Sequence, residues 1–228
     1  MKITVSLNGP YVVTGAVPLS REVIEVDADG NSTDWRAAEV FDEQEQYLLC
    51  RCGNSENKPF CDSSHLRAGF DGTEAETARR RYFELARELD GPAQLLTDAK
   101  PLCVGARFCD SHGTVWRLIE RSDDQAVGRL LERMVGNCPS GRLVLWSRHA
   151  EEAFEPSLEP SIGVVEDPAL GVSGPLWVRG GIRIESAADG HVYELRNRVT
   201  LCRCGQSRNK PFCDGTHAAI GFRDDWFE

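Results

Sequence analysis

The most constraining feature of this sequence is a cysteine- and histidine-containing segment that occurs twice. Residues 49–61 read LCRCGNSENKPFC, and residues 201–213 read LCRCGQSRNKPFC. The correspondence continues without a gap beyond these segments and includes His65 and His217. Each copy therefore has the spacing C-x-C-x8-C-x3-H, which places four potential metal ligands in one short unit. A unit this small lacks enough core to be stable alone, so we expect the two copies to pack against each other.

The number and grouping of the cysteines indicate metal binding. The nine cysteines fall into three groups of three. An odd number cannot pair completely into intramolecular disulfides, and the thiols of a cytoplasmic protein stay reduced. Thiolates are soft ligands for iron, and an imidazole can replace one thiolate on one iron. The candidate ligands are Cys50, Cys52, Cys61 and His65 in the first copy, Cys202, Cys204, Cys213 and His217 in the second, and, less certainly, Cys103, Cys109 and Cys138.

The repeated motif carries a family resemblance. The pattern C-x-C-x2-S-x3-P-x-C-D-G-T-H, complete at 202–217, resembles the CDGSH signature of NEET-type iron–sulfur proteins. A chain with two copies of the motif resembles the two-motif branch of that family. The resemblance implies two [2Fe–2S] clusters near the protein surface, each bound by three cysteines and one histidine. The first copy departs at Ser63, where the signature has glycine; a positive φ there would cost a serine about 1 kcal/mol.

Two alternatives concern these motifs. Four Cys and His ligands also suit a structural zinc site, so zinc stays open as the bound metal. The cationic residues in the loops either offset the negative charge of a cluster or are solvated surface charges. These residues are Arg51, Lys58, Arg203 and Lys210.

Because only a neutral imidazole binds metal, we expect cluster loss to accelerate as the pH falls toward about 6.

The third cysteine group is similar to that of divergent single-cluster ferredoxins. It has the spacing C-x5-C followed by a distant Cys138-Pro139, and Ala106 occupies the place of a further cysteine. Three thiolates would suit a [3Fe–4S] cluster, or a [4Fe–4S] cluster completed by a non-cysteine ligand. The candidates for that ligand are Asp110 and His112. The alternative is that these cysteines are structural residues of a ferredoxin-like fold that has no cluster.

Periodicity predicts an α+β fold in which two small β-rich repeats form an intramolecular pseudo-dimer with a ferredoxin-like segment inserted between them. The expected domains are a first repeat at 1–73, the helical and ferredoxin-like segment at 74–153, a connection at 154–170 and a second repeat at 171–228. Apolar alternation predicts strands at 2–6, 11–14, 23–26, 47–50, 115–119, 142–146, 176–179, 181–185, 191–195 and 199–202. Helical spacing predicts helices at 73–89 and 123–135.

Composition and missing motifs narrow the function. The net charge of −10 disfavours nucleic-acid binding, no apolar run reaches the roughly 20 residues of a spanning helix, and the N-terminus lacks a signal peptide. We therefore expect a cytoplasmic protein without membrane or nucleic-acid partners. His149 and His191 have no cysteines at ligand spacing, and we expect neither to bind metal.

No phosphate loop, nucleophile elbow or nicotinamide fingerprint is present, so we expect a carrier and not an enzyme, although it could serve as a subunit of a redox system. The first hypothesis is single-electron transfer with a redox partner protein. The second is cluster transfer to an apo iron–sulfur acceptor, or redox or pH sensing. A zinc-stabilised interaction module is the alternative from another class. The oligomeric state stays open, and a monomer is compatible with the two-motif organisation.

Overall fold

The structure is a computed structural model that describes residues 1–148, 152–224 and 226. The strands are β1 (Lys2–Val5), β2 (Tyr11–Thr14), β3 (Leu19–Val26), β4 (Ser32–Val40), β5 (Gln46–Leu49), β6 (Arg87–Asp90), β7 (Gln94–Asp98), β8 (Leu143–Ser147), β9 (Ser161–Asp167), β10 (Val172–Arg179), β11 (Arg183–Ser186) and β12 (Arg198–Leu201). The α-helices are α1 (Ser64–Ala68), α2 (Tyr82–Leu85), α3 (Val115–Leu118), α4 (Gln125–Gly136) and α5 (Thr216–Ala219). None of the described helices has the length and apolar character needed to cross a membrane.

The two repeats pack as a pseudo-dimer by exchanging strands. One sheet has the order β11-β1-β2-β5, and the other has the order β12-β10-β9-β3-β4. In the first sheet β1 pairs in parallel with β11 of the second repeat, and in the other β3 of the first repeat pairs in parallel with β9. Each sheet is therefore completed by a strand from the other repeat, which confirms the predicted α+β class and pseudo-dimer.

Alternating apolar residues bury one face of each short strand in a core that both repeats share. On β1 the side chains of Ile3 and Val5 are fully buried, whereas those of Lys2 and Thr4 are partly exposed. The shared core contains Ile3, Val5, Val13, Ile162, Val164, Leu176 and Val178. Neither repeat has this core alone, because the apolar faces of the two sheets bury each other.

Three strands, β4, β7 and β9, lie where regular structure was not predicted. Strand β4 is an exposed edge strand whose weak alternation hides it from sequence reasoning. Its Trp35 nevertheless packs against Phe108 and Trp177, with ring centroids 4.9 and 4.6 Å away. Strand β9 occupies residues 161–167 of the segment expected as a connection, where no strand was predicted. It is almost entirely buried between β10 and β3.

One predicted strand of the second repeat is wrong. Residues 191–195 form only an isolated bridge between Val192 and Glu185 in the part of the chain that the structure describes. Tyr193 from this segment is buried in the shared core, and its ring packs 5.3 Å from that of Phe212. The apolar alternation of residues 191–195 therefore belongs to a loop that Tyr193 anchors in the core, and not to a strand.

The middle segment has its own sheet and core. Its sheet has the order β6-β7-β8, and α4 packs on β8. The predictions of a helix at 123–135 and a strand at 142–146 are confirmed by α4 and β8. Helix α4 begins after Asp124, whose carboxylate accepts hydrogen bonds from the amides of Ala126 and Val127, as expected of an N-cap residue.

Two other predictions for this segment are wrong. Residues 73–89 do not form one helix but a 3₁₀ turn, the short helix α2 and the start of β6. Their polar groups bond to other parts of the chain: the Ala75 amide donates to the Lys210 carbonyl, and the Tyr82 amide donates to Glu194. Residues 115–119, predicted as a strand, form α3 and the first residue of a 3₁₀ turn, because Val115 and Ile119 are buried against α4 and β8.

Arg198 joins the second repeat to the middle segment. Its side chain is only 1% exposed. Its guanidinium donates to the carbonyls of Val135, Gly136, Cys138 and Leu143 and to the carboxylate of Glu155. A buried guanidinium that satisfies this many acceptors fixes how the two segments are docked.

We expect Arg198→Met to lower the stability of the iron-loaded protein by about 3 kcal/mol, because the substitution leaves buried carbonyls without a donor. For a chain of this size the loss corresponds to a fall of roughly 6–12 °C in the thermal unfolding midpoint. The control is Arg183→Met, which removes a 3.3 Å ion pair to Glu185 from an arginine side chain that is 55% exposed. The control should cost less than about 1 kcal/mol, and equal midpoints for the two variants would contradict the structural role of Arg198.

Candidate metal centres

The first ligand loop is shaped by hydrogen bonds that its own motif residues make. The Cys50 amide donates to the Pro59 carbonyl at 2.8 Å. The carboxylate of Asp62 accepts the amides of Glu56 and Ser64, both at 2.9 Å. Asp62 therefore ties the middle of the loop to the start of the short helix α1, which carries His65.

The second ligand loop repeats these contacts. The Cys202 amide donates to the Pro211 carbonyl at 2.9 Å, and Asp214 accepts the amides of Arg208 and Thr216 at 2.9 and 3.0 Å. His217 lies on α5, in the position that corresponds to His65. The proline and aspartate of the motif thus have structural roles in both copies.

The eight candidate ligands of the two motifs are arranged in pairs. The Sγ–Sγ distances are 3.8 Å for Cys50 and Cys52 and 3.7 Å for Cys202 and Cys204, and the Sγ–Nδ1 distances are 3.5 Å for Cys61 and His65 and 3.3 Å for Cys213 and His217. Two tetrahedral ligands at about 2.3 Å from one metal are about 3.8 Å apart. Each pair therefore suits two ligands on the same metal ion. Among the described residues, no three His, Cys, Asp or Glu side chains converge as ligands of one ion.

The electrostatic environment favours the metal-binding form of His217 and of one thiol in each C-x-C pair, whereas burial and hydrogen bonding raise the pKa values of the other four motif thiols. Burial, assisted by the nearby Arg203, lowers the pKa of His217 to about 4, so its imidazole is neutral at pH 7. In each C-x-C pair one thiol has a lowered pKa, because its partner donates a hydrogen bond to it. Backbone amides also point at sulfur: those of Ser63 and Gly215 lie 3.4 Å from the thiols of the third cysteine of each motif.

The two ligand loops touch each other through glycine. Gly53 and Gly205 have φ values of 80° and 78°. A Cβ atom on Gly53 would lie 2.6 Å from the carbonyl oxygen of Cys204, and one on Gly205 would lie 2.4 Å from that of Cys52. Both the positive φ and this close approach therefore require glycine, and the backbones of the two candidate centres are in direct contact.

Tyr11 makes a second link between the loops. Its fully buried hydroxyl donates to the carbonyls of Cys202 and Pro211 at 2.8 and 3.0 Å. Its ring lies 5.6 Å from the guanidinium of Arg51 in the first loop. A residue of the first repeat thus supports the ligand loop of the second.

The three cysteines of the middle segment line one pocket. Cys103, Cys109 and Cys138 share it with Ser140 and Arg142 among other residues. The Ser140 hydroxyl lies 3.6 Å from the Cys138 sulfur, and burial raises the pKa of Cys109 to about 12. The arrangement of three thiols around one pocket suits a cluster better than scattered core cysteines would.

Arg142 places a positive charge in this pocket. Asp98 accepts from its Nε at 2.6 Å. Although burial works against ionisation, Asp98 and the neighbouring Cys103 thiol raise the pKa of Arg142. The guanidinium therefore lies where it would offset the charge of a thiolate.

The two residues expected as a non-cysteine ligand lie elsewhere. Asp110 and His112 are exposed, and neither belongs to the described lining of the cysteine pocket. His112 instead lines a different cavity with Ser32 and Arg133. The expectation that one of them completes the site stays a prediction, since the negative charge of Asp110 acts on the neighbouring Cys109 thiol. Ser140 is a further side-chain oxygen in the pocket that the sequence did not single out.

The middle segment covers part of the second motif. A Cβ on Gly215 would lie 3.3 Å from the Cys103 carbonyl, and Arg107 pairs with Asp167 on β9 at 2.6 Å. Cys213 and His217 are accordingly only 2% and 6% exposed. Their counterparts in the first motif are partly exposed.

Comparison with protein families agrees with this geometry. Residues 8–66 and 173–218 match the family described as iron-binding zinc finger CDGSH type. The chain therefore contains two iron-binding CDGSH-type domains. Residues 89–148, between its two CDGSH domains, match the family described as divergent 4Fe-4S mono-cluster. Neither the comparison with curated proteins nor that with solved structures gave a match.

Sequence reasoning missed the burial of the arginines in the CDGSH loops. Arg51 and Arg203 are 1% and 2% exposed, so they are not solvated surface charges. Each arginine lies between the two cysteines of a C-x-C pair, and this position in the sequence could have indicated that it is buried. His191 packs against Tyr193 at the surface, and His149 lies outside the described residues.

Ser63 carries the backbone strain that the sequence predicted. Its φ is 72°, close to the 85° of Gly215 at the matching position. We expect Ser63→Gly to raise the stability of the iron-loaded protein by about 0.5–1 kcal/mol, because glycine adopts this conformation without a Cβ penalty. This gain corresponds to a rise of about 1–4 °C in the unfolding midpoint.

The matched variant is Gly215→Ser. It should lower the midpoint by more than Ser63→Gly raises it, because the new Cβ also approaches the Cys103 carbonyl at 3.3 Å. Thermal unfolding of both variants measures the comparison. A lower midpoint for Ser63→Gly would show that the Ser63 side chain makes a stabilising interaction that outweighs its strain.

Proposed function

We propose that this CDGSH-type protein binds a [2Fe–2S] cluster at each CDGSH motif and carries single electrons between redox partner proteins. The ligands are Cys50, Cys52, Cys61 and His65 at one site and Cys202, Cys204, Cys213 and His217 at the other. A bound [2Fe–2S] cluster supplies reversible one-electron chemistry. The chain supplies paired ligands, a neutral His217 imidazole and hydrogen bonds to sulfur.

The pairing of the ligands is the observation that carries this proposal. A zinc ion would draw four ligands to one point, whereas two irons take two protein ligands each. The pair distances of 3.3–3.8 Å, together with the lack of any three converging candidate ligands among the described residues, support the second arrangement. They disfavour the zinc-stabilised interaction module, in which the metal would have only a structural role.

The proposal includes a third cluster at Cys103, Cys109 and Cys138. Their common pocket supports it, as does the match of this segment to a 4Fe-4S family. With three cysteines in the pocket, the proposed cluster is [3Fe–4S], or [4Fe–4S] with a non-cysteine ligand. The contacts between Gly53 and Cys204 and between Gly215 and Cys103 bring the loop of the second motif close to both other proposed sites, which supports electron transfer between them.

Metal and sulfide analysis of anaerobically purified protein tests the proposal. We expect about seven or eight irons per chain with matching acid-labile sulfide. The double variant Cys103→Ser/Cys138→Ser should retain about four irons, because it removes only the third site. About four irons in the unaltered protein would overturn the third cluster, and colourless protein with about two zincs and no sulfide would overturn the redox function.

A second candidate function is cluster transfer to an apo iron–sulfur acceptor protein. The partial exposure of Cys61 and His65 favours it for the first site alone, since an acceptor needs access to the ligands. The second site, with Cys213 and His217 buried, offers no such access.

We expect an iron chelator to remove iron from the two CDGSH sites in two phases, with the first site emptied faster because its ligands are more accessible. Visible absorbance during chelation at constant pH measures the phases. His65→Cys should change the fast phase, and the matched His217→Cys should change the slow phase. A single phase, or the opposite assignment, would contradict the difference in access.

A further inference from the structure

The second CDGSH domain surrounds its buried arginine with carboxylates. Arg203, between ligands Cys202 and Cys204, donates to Glu166 at 2.7 Å and to Asp224 at 2.6 Å. Arg21 donates to the same two carboxylates at 2.7 and 3.1 Å. All four side chains are at most 5% exposed. Two positive groups thus face two buried negative groups, and the half-exposed Glu39 also accepts from Arg21 at 3.1 Å, so the positive charges are fully opposed.

The carboxylates of this group are held in place by their arginines. Although burial works against ionisation of Asp224, Arg203 and Arg21 keep its pKa below the usual range. Burial raises the pKa of Glu166, but both guanidinium groups bond to the same oxygen, Oε1, and favour its ionised form.

The first CDGSH domain leaves its buried arginine without a carboxylate. Arg51 donates to the backbone carbonyls of Ser6 at 2.9 Å and Gly72 at 2.5 Å. Its guanidinium carbon lies 5.6 and 5.5 Å from the ring centroids of Tyr11 and Phe70. Its Nε has no hydrogen-bond partner. Within the described residues, Arg51 takes part in no ion pair of 4 Å or less, unlike Arg203.

The register of the two repeats shows why the carboxylates are missing. The unbroken correspondence of the motif aligns Asp224 with Gly72. The carbonyls of Ser6 and Val165 each accept a hydrogen bond from the arginine of their own motif, so these two residues correspond. Glu166, which follows Val165, therefore corresponds to Leu7, which follows Ser6. Asp71, next to Gly72, is exposed and bonds to Thr73, so its carboxylate acts on Arg51 only from beyond ion-pair distance. The difference between the domains is therefore one of sequence.

We infer that Arg51 gives the first CDGSH site a higher electron affinity than the second. Reduction adds a negative charge, and a buried positive charge without a counter-ion stabilises it in a medium of low dielectric. Arg203 provides less stabilisation, because Glu166 and Asp224 already oppose its charge. The inference rests on the proposed one-electron function and deepens it.

The positions of the two sites indicate in which direction the difference in electron affinity would drive an electron. The second site lies between the middle segment and the first site, in contact with both. The first site has the partly exposed ligands Cys61 and His65. An electron that enters through the middle segment would therefore pass the second site and be held at the first, from which a one-electron acceptor protein would collect it.

Electron paramagnetic resonance after partial reduction tests the inference. The protein is reduced anaerobically with less than one equivalent of dithionite, a one-electron donor in solution. Fully reduced His65→Cys and His217→Cys identify which signal belongs to which site, since each substitution changes one ligand. We expect the first-site signal to exceed the second by at least tenfold, which is about 59 mV for a one-electron couple.

A matched pair of variants separates charge from structure. Arg51→Met removes the charge and should abolish the preference, whereas Arg51→Lys keeps the charge and should retain most of it. Asp224→Asn is an independent test that leaves the first domain untouched, and it should raise the electron affinity of the second site toward that of the first.

Equal reduction of the two sites, or preferential reduction of the second, would overturn the inference while leaving the proposed function intact. The inference would also be overturned if Arg51→Met and Arg51→Lys changed the electron affinity of the first site equally and Asp224→Asn left that of the second site unchanged. Absence of any [2Fe–2S] signal from fully reduced protein that also lacks sulfide would instead overturn the proposed function.

Discussion

The contact between the two ligand loops at Gly53 and Gly205 is the constraint on which the rest of the structure depends. Each glycine Cα faces the backbone carbonyl of a ligand cysteine in the other repeat, with no room for a side chain. This contact requires the two repeats to meet at their metal-binding ends. The strand exchange, in which β11 joins β1 and β3 joins β9, then closes the shared core behind them.

Duplication has produced two sites with the same ligands in different surroundings. The ligand spacing and the loop hydrogen bonds of Asp62 and Asp214 are nearly identical. The surroundings differ because the middle segment packs on the second site, through Gly215 and the ion pair of Arg107 with Asp167. A pseudo-symmetric pair thus becomes a buried site and an accessible one.

Buried arginines are used in three ways in this fold. Arg198 bonds mostly to backbone carbonyls and fixes the docking of the middle segment. Arg203 is neutralised by two buried carboxylates, and Arg51 bonds only to backbone carbonyls. Guanidinium groups suit these positions because several N–H donors in a plane can satisfy many acceptors at once. The same residue type therefore serves either structure or electrostatics, depending on its partners.

The sequence by itself determined the duplicated CDGSH motif, the α+β class, the pseudo-dimer and the positive φ at Ser63, because a repeated motif and its spacing encode local chemistry and local backbone shape. It also indicated α4 and β8, whose patterns are strongly periodic. The tertiary structure alone decided β9, the broken segment at 73–89 and the helical state of 115–119. It also decided that Asp110 and His112 are outside the described lining of the cysteine pocket and that the two motif arginines differ in charge partners. These features depend on contacts between residues far apart in the chain, and such contacts leave no periodic signal in the sequence around any one of them.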